Sequence, residues 1–247
     1  MTVLSIEHVT KRYRRGKLER VAVRDVSLEI DPGELVAVWG PRRSGRSTLL
    51  RLAAGVESPE EGVVRFEGRD LARFRNSILG RRIGYCQTSW GRSEGGFVLE
   101  RVAAGLLAQR VSPTHARRRS QEMLLRVGAE RCARLDCHEL DAAELARVAI
   151  ASALVTGPKL LVIDEPTNGI DQLERPPLLA LLRSVANEGV AVLMSTADAQ
   201  GLSGVDRALS IDDGELRGEI APAGAAVVPL RRTAPRPDVA ESGARWR

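Results

Sequence analysis

Val36–Leu50 reads VAVWGPRRSGRSTLL: an apolar run breaks into a glycine-bearing turn and then passes into residues suited to a helix. A polyphosphate needs several donors close at hand, which a backbone turned N–H-inward and a following helix N-terminus supply together. Gly40 and Gly45 stand at the spacing of the G-x-x-x-x-G-K-[ST] phosphate-binding pattern. Gly40 opens the loop, Pro41, Arg42, Arg43 and Ser44 form its body, and Gly45 lets the chain pass close to the phosphates. Ser47 then offers a hydroxyl to Mg2+, and Thr48 continues the helix. Arg46 stands where the pattern has Lys.

Arginine keeps the positive charge, but its planar fork is bulkier than an ammonium and does not replace it freely at a close phosphate contact. The chain avoids lysine throughout, with only Lys11, Lys17 and Lys159 among 37 basic residues, so the exchange matches a general habit. A Gly-rich turn before a helix is also an ordinary strand-to-helix connection. The loop therefore needs support from elsewhere in the chain.

At 247 residues and 43% hydrophobic content, one large or two small globular domains with a substantial core are expected. Apolar runs such as Leu160–Ile163 fall far below the roughly 20 residues of a spanning helix, and the N-terminus lacks a signal-peptide apolar stretch, so a cytoplasmic protein is expected. The net charge of +5 is partly local: Arg231, Arg232, Arg236, Arg245 and Arg247 face only Asp238 and Glu241 in the tail. With aromatics at 3%, base-stacking platforms are scarce and no nucleic acid is expected as a partner. Cys86, Cys132 and Cys137 show no C-x-x-C pairing, and Cys132, Cys137 and His138 lack a fourth metal ligand at matching distance. Reduced, buried thiols are expected. His8 and His115 have no ligand or catalytic partner in view.

Residues 3–9 and 21–30 alternate as half-buried strands, which suggests an antiparallel flank. Between them Lys11–Arg20 reads as a basic loop, with Tyr13 either packed against the sheet or presenting a ring to a purine base. Residues 62–70 suggest a short strand pair, and residues 81–86 an apolar strand leading to Gln87, which beside a phosphate site can bind Mg2+ or the attacking water. Residues 99–109 and 116–128 carry apolar residues at three-to-four spacing, as an inserted helical subdomain would, and residues 142–156 form a further helix ending at Gly157-Pro158.

Leu160–Thr167, LLVIDEPT, predicts a buried parallel strand with Asp164 and Glu165 at its C-terminal end, where open α/β sheets place their ligands. Asp164 can hold Mg2+ through water, and Glu165 can orient an attacking water or take its proton; a solvated strand end would carry the same acids. Residues 190–194 predict another buried strand, and residues 208–211 begin a hairpin through Asp212-Asp213-Gly214. From Gly218 onward Pro, Ala, Gly and Arg predict little fixed structure.

The loop at Gly40, Gln87, the Leu140–Val148 segment, Asp164-Glu165 and Asp171, in this order over residues 3–220, resemble the nucleotide-binding domain of ABC transporters. Residues 81–87 and 160–167 look closest to its lipoprotein-releasing and macrolide-export branch. The resemblance implies an α/β fold: a P-loop NTPase (RecA-like) core sheet, an antiparallel β flank and a helical subdomain at about 89–156, within a cassette of residues 1–220 followed by a disordered basic tail at 221–247. It implies ATP and Mg2+ as cofactors. Tyr13 would stack on adenine, Ser47, Gln87 and Asp164 would surround the metal, Glu165 would be the catalytic base, and Asp171 would lie in a loop crossing the interface with a second nucleotide-binding domain, in a homo- or heterodimer. It also implies a membrane permease as partner, holding the subunit peripherally on the inner face of the cell membrane.

Several positions depart from the family pattern. The signature L-S-G-G-Q reads Leu140-Asp141-Ala142-Ala143-Glu144. A carboxylate about 5 Å from a phosphate charge repels it by roughly 3 kcal/mol at an effective dielectric of 20, whereas Asp141 and Glu144 suit a helix capping box. The switch histidine falls at Ala197. Arg43 replaces a loop glycine, at a cost of roughly 1–2 kcal/mol if its backbone is left-handed, and Pro176-Pro177 is expected to interrupt the helix after the interface loop. Two functions are therefore open: an ATPase subunit with slow hydrolysis, and a non-hydrolysing regulatory or scaffolding cassette.

Overall fold

The computed structural model describes residues 2–16, 18–74, 82–87 and 95–220. Its centre is a six-stranded sheet in the order β10-β9-β3-β8-β7-β6. The strands are β3 (Leu35–Trp39), β6 (Ile83–Cys86), β7 (Leu160–Ile163), β8 (Ala191–Thr196), β9 (Arg207–Asp212) and β10 (Glu215–Ile220). From β6 to β9 the neighbours run parallel, and only the β9–β10 hairpin is antiparallel. Strands covered on both faces need apolar side chains at every position, and LLVI of β7 is buried throughout. Val36, Val38, Val162 and Leu193 point to one face and Ala37, Leu161, Val192 and Met194 to the other, each set joining a separate core. Full burial of each Val or Leu contributes about 1.5–3 kcal/mol.

On the first face lie the helix α1 (Arg46–Ala53) and a four-stranded antiparallel sheet in the order β2-β1-β4-β5: β1 (Leu4–Arg15), β2 (Leu18–Ile30), β4 (Glu61–Phe66) and β5 (Arg69–Asp70). A single turn, α2 (Leu71–Phe74), follows. The second face carries α3 (Val98–Ala108), α4 (Pro113–Arg126), α5 (Ala142–Leu154) and α6 (Arg175–Asn187). None of the described helices is long and apolar enough to cross a membrane.

Three local expectations are corrected. The Lys11–Arg20 segment is not an open loop: residues 11–15 and 18–20 continue the β1–β2 hairpin, with Tyr13 paired opposite Arg20 and Arg14 opposite Glu19. Charge pairs replace apolar burial there: Arg14 meets Glu19 at 2.9 Å and Arg12 meets Glu61 at 2.7 Å, while Gly16, at φ 62, turns the chain. Pro176 and Pro177 do not interrupt the helix after β7; they lie in the first turn of α6, where their missing N–H groups have no intrahelical acceptor to lose. Residues 218–220, expected to lack structure, complete β10. The rest of the tail, and the start of the proposed helical subdomain at residues 89–94, lie outside the described residues.

Candidate functional site

Residues of β2 and of the β9–β10 hairpin hold the loop between β3 and α1 in place. Gly40 must be glycine because a Cβ there would stand 2.1 Å from the Ile211 carbonyl oxygen. Gly45 combines φ 108 with a Cβ position 2.2 Å from the Ala22 carbonyl oxygen, so both its backbone and its surroundings exclude a side chain. The Gly214 N–H, from the β9–β10 turn, donates to the Ser44 carbonyl at 2.8 Å. Arg20, on β2, donates to the Arg43 carbonyl at 2.5 Å. Arg43 itself sits at φ 68, the left-handed conformation that costs a residue with a Cβ about 1–2 kcal/mol.

The first turn of α1 has no side-chain cap and no acidic residue, so its N–H groups remain open to an anion. Beside it lies a pocket of about 230 Å3 lined by Tyr13, Arg20, Ala22, residues 43–48 and Arg51. Two of its polar atoms are buried without a hydrogen-bond partner: Ser44 Oγ and Arg46 Nη1. Burying such groups unpaired is costly, and phosphate oxygens in the pocket would satisfy both. The loop residues therefore fit a nucleotide phosphate chain.

Tyr13 borders the pocket 38% exposed, its hydroxyl donating to Glu57 at 2.5 Å and accepting from Arg51 at 3.2 Å. Burial works against the charge of Arg51, but hydrogen bonds to Tyr13 and Glu57 hold its pKa above the ordinary value. This brace fixes the ring at the pocket edge.

The acids lie across the sheet edge. The Arg46 guanidinium, 6% exposed, crosses from the loop and places Nη2 2.7 Å from Glu165 Oε1, on a side chain 26% exposed. Glu165 is held at φ 48. Ser195 Oγ donates to Asp164 Oδ1 at 2.6 Å and accepts the Glu165 N–H at 2.9 Å. Asp164, Glu165 and Gln87 line one further cavity together with Cys86. Burial pushes the Cys86 thiol up to about 12, and burial, reinforced by the Asp164 charge, pushes the neighbouring Tyr85 hydroxyl up to about 12; neither titrates near neutrality. Ser47, Asp164 and Gln87 offer oxygen donors, the chemistry that Mg2+ prefers, with Ser47 on the loop pocket and the other two on the neighbouring cavity; among the described residues no group of three or more His, Cys, Asp or Glu side chains is placed to hold a metal.

Other residues named from the sequence are placed apart. Pro41 and Arg42 are exposed on the loop's outer side. Asp171 lies in the exposed loop between β7 and α6, accepting the Leu173 N–H at 3.1 Å, and lines neither cavity. Asp141 caps α5 through the Glu144 N–H at 2.8 Å, and Glu144 returns the bond to the Asp141 N–H at 3.1 Å, a complete capping box. Ala197 is exposed just beyond β8. The cysteines are buried free thiols.

The sequence reading passed over Arg20, Arg51 and Ser195. Arg20 reaches the pocket only because it pairs with Tyr13 across the hairpin. Ser195 did leave a signal, a hydroxyl directly after the apolar residues 191–194 of a buried strand.

A family model described as ABC transporter matches residues 23–168. Among solved structures, the chain resembles the dimeric form of MJ0796, a bacterial ABC transporter cassette, at 27% identity and TM-score 0.80, over 90% of this chain and 100% of that one. A post-hydrolysis state of the same cassette bound to ADP and Pi matches at 27% identity and TM-score 0.79, with the same coverage. CbiO1 from Clostridium perfringens, part of the ABC transporter complex cbiONQ, matches at 25% identity and TM-score 0.77, over 90% of this chain and 89% of that one. The chain belongs to the ABC transporter family, as an ATP-binding cassette.

Proposed function

We propose that this chain binds Mg·ATP between the loop at residues 40–48 and the acids at the end of β7, and couples slow hydrolysis to a membrane permease. The observation that carries the reading is the pair of orphaned buried donors, Ser44 Oγ and Arg46 Nη1, beside an uncapped helix N-terminus. In this reading Tyr13 supports the base and residues 40–46 wrap the phosphates. Ser47, Gln87 and Asp164 would hold Mg2+, which would neutralise phosphate charge when bound. Glu165 leaves Arg46 and orients an attacking water. Asp171 and Asp141 face a second cassette, and the permease holds the subunit at the membrane. Residues 1–220 form the cassette, with residues of about 89–156 as its helical subdomain, and residues 81–87 and 160–167 favour the lipoprotein-releasing and macrolide-export branch.

A second reading, a non-hydrolysing regulatory or scaffolding cassette, draws on one observation: Arg46, of the phosphate loop, already holds Glu165 in an ion pair. Asp141 and Ala197 point the same way.

Calorimetric titration of the purified chain with Mg·ATP, with Arg46→Lys in parallel, tests the first reading. Micromolar binding supports it and leads to turnover assays with the permease. Absence of binding in both proteins favours the scaffold, and undetectable turnover in the reconstituted complex ends the motor reading.

A further inference from the structure

Ser195 lies on β8, opposite Val38 of β3 and one step past the Ile163–Met194 pairing with β7. It is fully buried. Its side chain shares the face that carries Val38, Val162 and Leu193, the face on which α1 packs. A hydroxyl has one proton, and here that proton is committed to Asp164 Oδ1 at 2.6 Å, the short distance of a charge-assisted bond. A lone pair of the same oxygen receives the Glu165 N–H at 2.9 Å. One oxygen thus pins the Asp164 carboxylate and the backbone of Glu165, which stands at φ 48, a conformation that needs support from its surroundings. Glu165 reaches Arg46 from that conformation.

We propose that Ser195 is a positioning residue for the metal: by fixing Asp164 and the Glu165 backbone together, it sets the affinity of the cassette for Mg2+ in the presence of nucleotide. The inference rests on the Mg·ATP reading above. An outer partner that orients a ligating carboxylate typically changes metal affinity by ten- to a hundredfold. Removing the hydroxyl loosens the Asp164 side chain and leaves the Glu165 N–H without its acceptor. ATP binding without metal depends on the loop at residues 40–48 and is measured alongside, so that any change through the Arg46–Glu165 pair is read apart from the Mg2+ dependence.

The test uses the full chain, a fluorescent ATP analogue as probe, and Mg2+ titrated at fixed nucleotide, for the native protein and for Ser195→Ala, Ser195→Thr and Ser195→Val. Thr and Val have nearly the same shape, so the Thr–Val comparison isolates the hydroxyl from packing and folding. Half-saturating Mg2+ is expected to rise about tenfold in Ala and Val and to return toward the native value in Thr, each referred to that protein's own metal-free nucleotide affinity. The same Mg2+ dependence in all four proteins, or a defect in Thr equal to that in Val, overturns the positioning role while leaving the Mg·ATP reading intact. A native protein whose nucleotide binding ignores Mg2+ overturns both.

Discussion

Arg46 and Glu165 are 119 positions apart in the chain and meet at 2.7 Å in the fold. The guanidinium is almost wholly buried, so loss of the carboxylate leaves a charge inside the protein with reduced compensation. On the Mg·ATP reading proposed above, a nucleotide phosphate and Glu165 compete for one cation. Glu165→Gln is neutral and competes less well. It is expected to bind Mg·ATP about tenfold more tightly, equivalent to roughly 1.4 kcal/mol, and to lose any turnover. Titration calorimetry and phosphate release check both; weaker binding by Glu165→Gln counts against the competition.

Arg43 carries left-handed strain in the phosphate loop. Arg43→Gly relieves it, and about 1 kcal/mol of added stability is expected, visible in thermal unfolding as a rise of about 2–4 °C for a chain of this size. The carbonyl that accepts from Arg20 is retained, so the loop keeps its brace.

Asp141 allows charge and capping to be separated. Serine caps a helix about as well as aspartate, whereas alanine loses about 1 kcal/mol. Asp141→Ser is expected to unfold like the native chain and Asp141→Ala at lower temperature. If Asp141 faces the phosphates of a second cassette, Asp141→Ser removes a repulsion and increases ATP-dependent dimer formation, measured by sedimentation. Unchanged association in Asp141→Ser removes the carboxylate from the interface.

Burial pushes the Asp206 carboxyl up, but the Leu35 N–H and Arg183 outweigh it and hold its pKa below the ordinary 3.8. Asp206 accepts from Leu35 at 2.8 Å and from Arg183 at 2.6 Å, fastening the start of β3 to α6. A carboxyl lowered on folding contributes stability that is fully present above its unfolded pKa and is lost as pH falls through the folded value. The stability gap between the native chain and Asp206→Asn is therefore expected to be constant near neutrality and to close below about pH 4. Denaturant unfolding across pH 3–7 checks it.

Chain-local chemistry was legible in the sequence. The apolar run at residues 160–163 can be little other than a strand buried on both faces, and Asp141 and Glu144 announced their capping box three residues apart. Contacts made by neighbours in space were not. Residues 11–20 look like a loop because their ladder is held by cross-strand ion pairs instead of alternating burial. The prolines of α6 look like breakers until the helix start is placed before them. The loop, Gln87 and the two acids could be named from local pattern, whereas the Arg46–Glu165 pair and the Ser195 bridge depend on how strands β3, β7 and β8 line up.

The bond from Gly214 to the Ser44 carbonyl joins the phosphate loop to almost the last described hairpin. It has a consequence for biosynthesis. A ribosome that has delivered residues 40–48 has supplied the loop's chemistry and its brace from β2, but not the Gly214 bond, which must await the β9–β10 turn. On the Mg·ATP reading, the loop reaches its full support only when nearly the whole cassette has emerged, and a shortened product ending before that turn would carry the motif without the Gly214 bond.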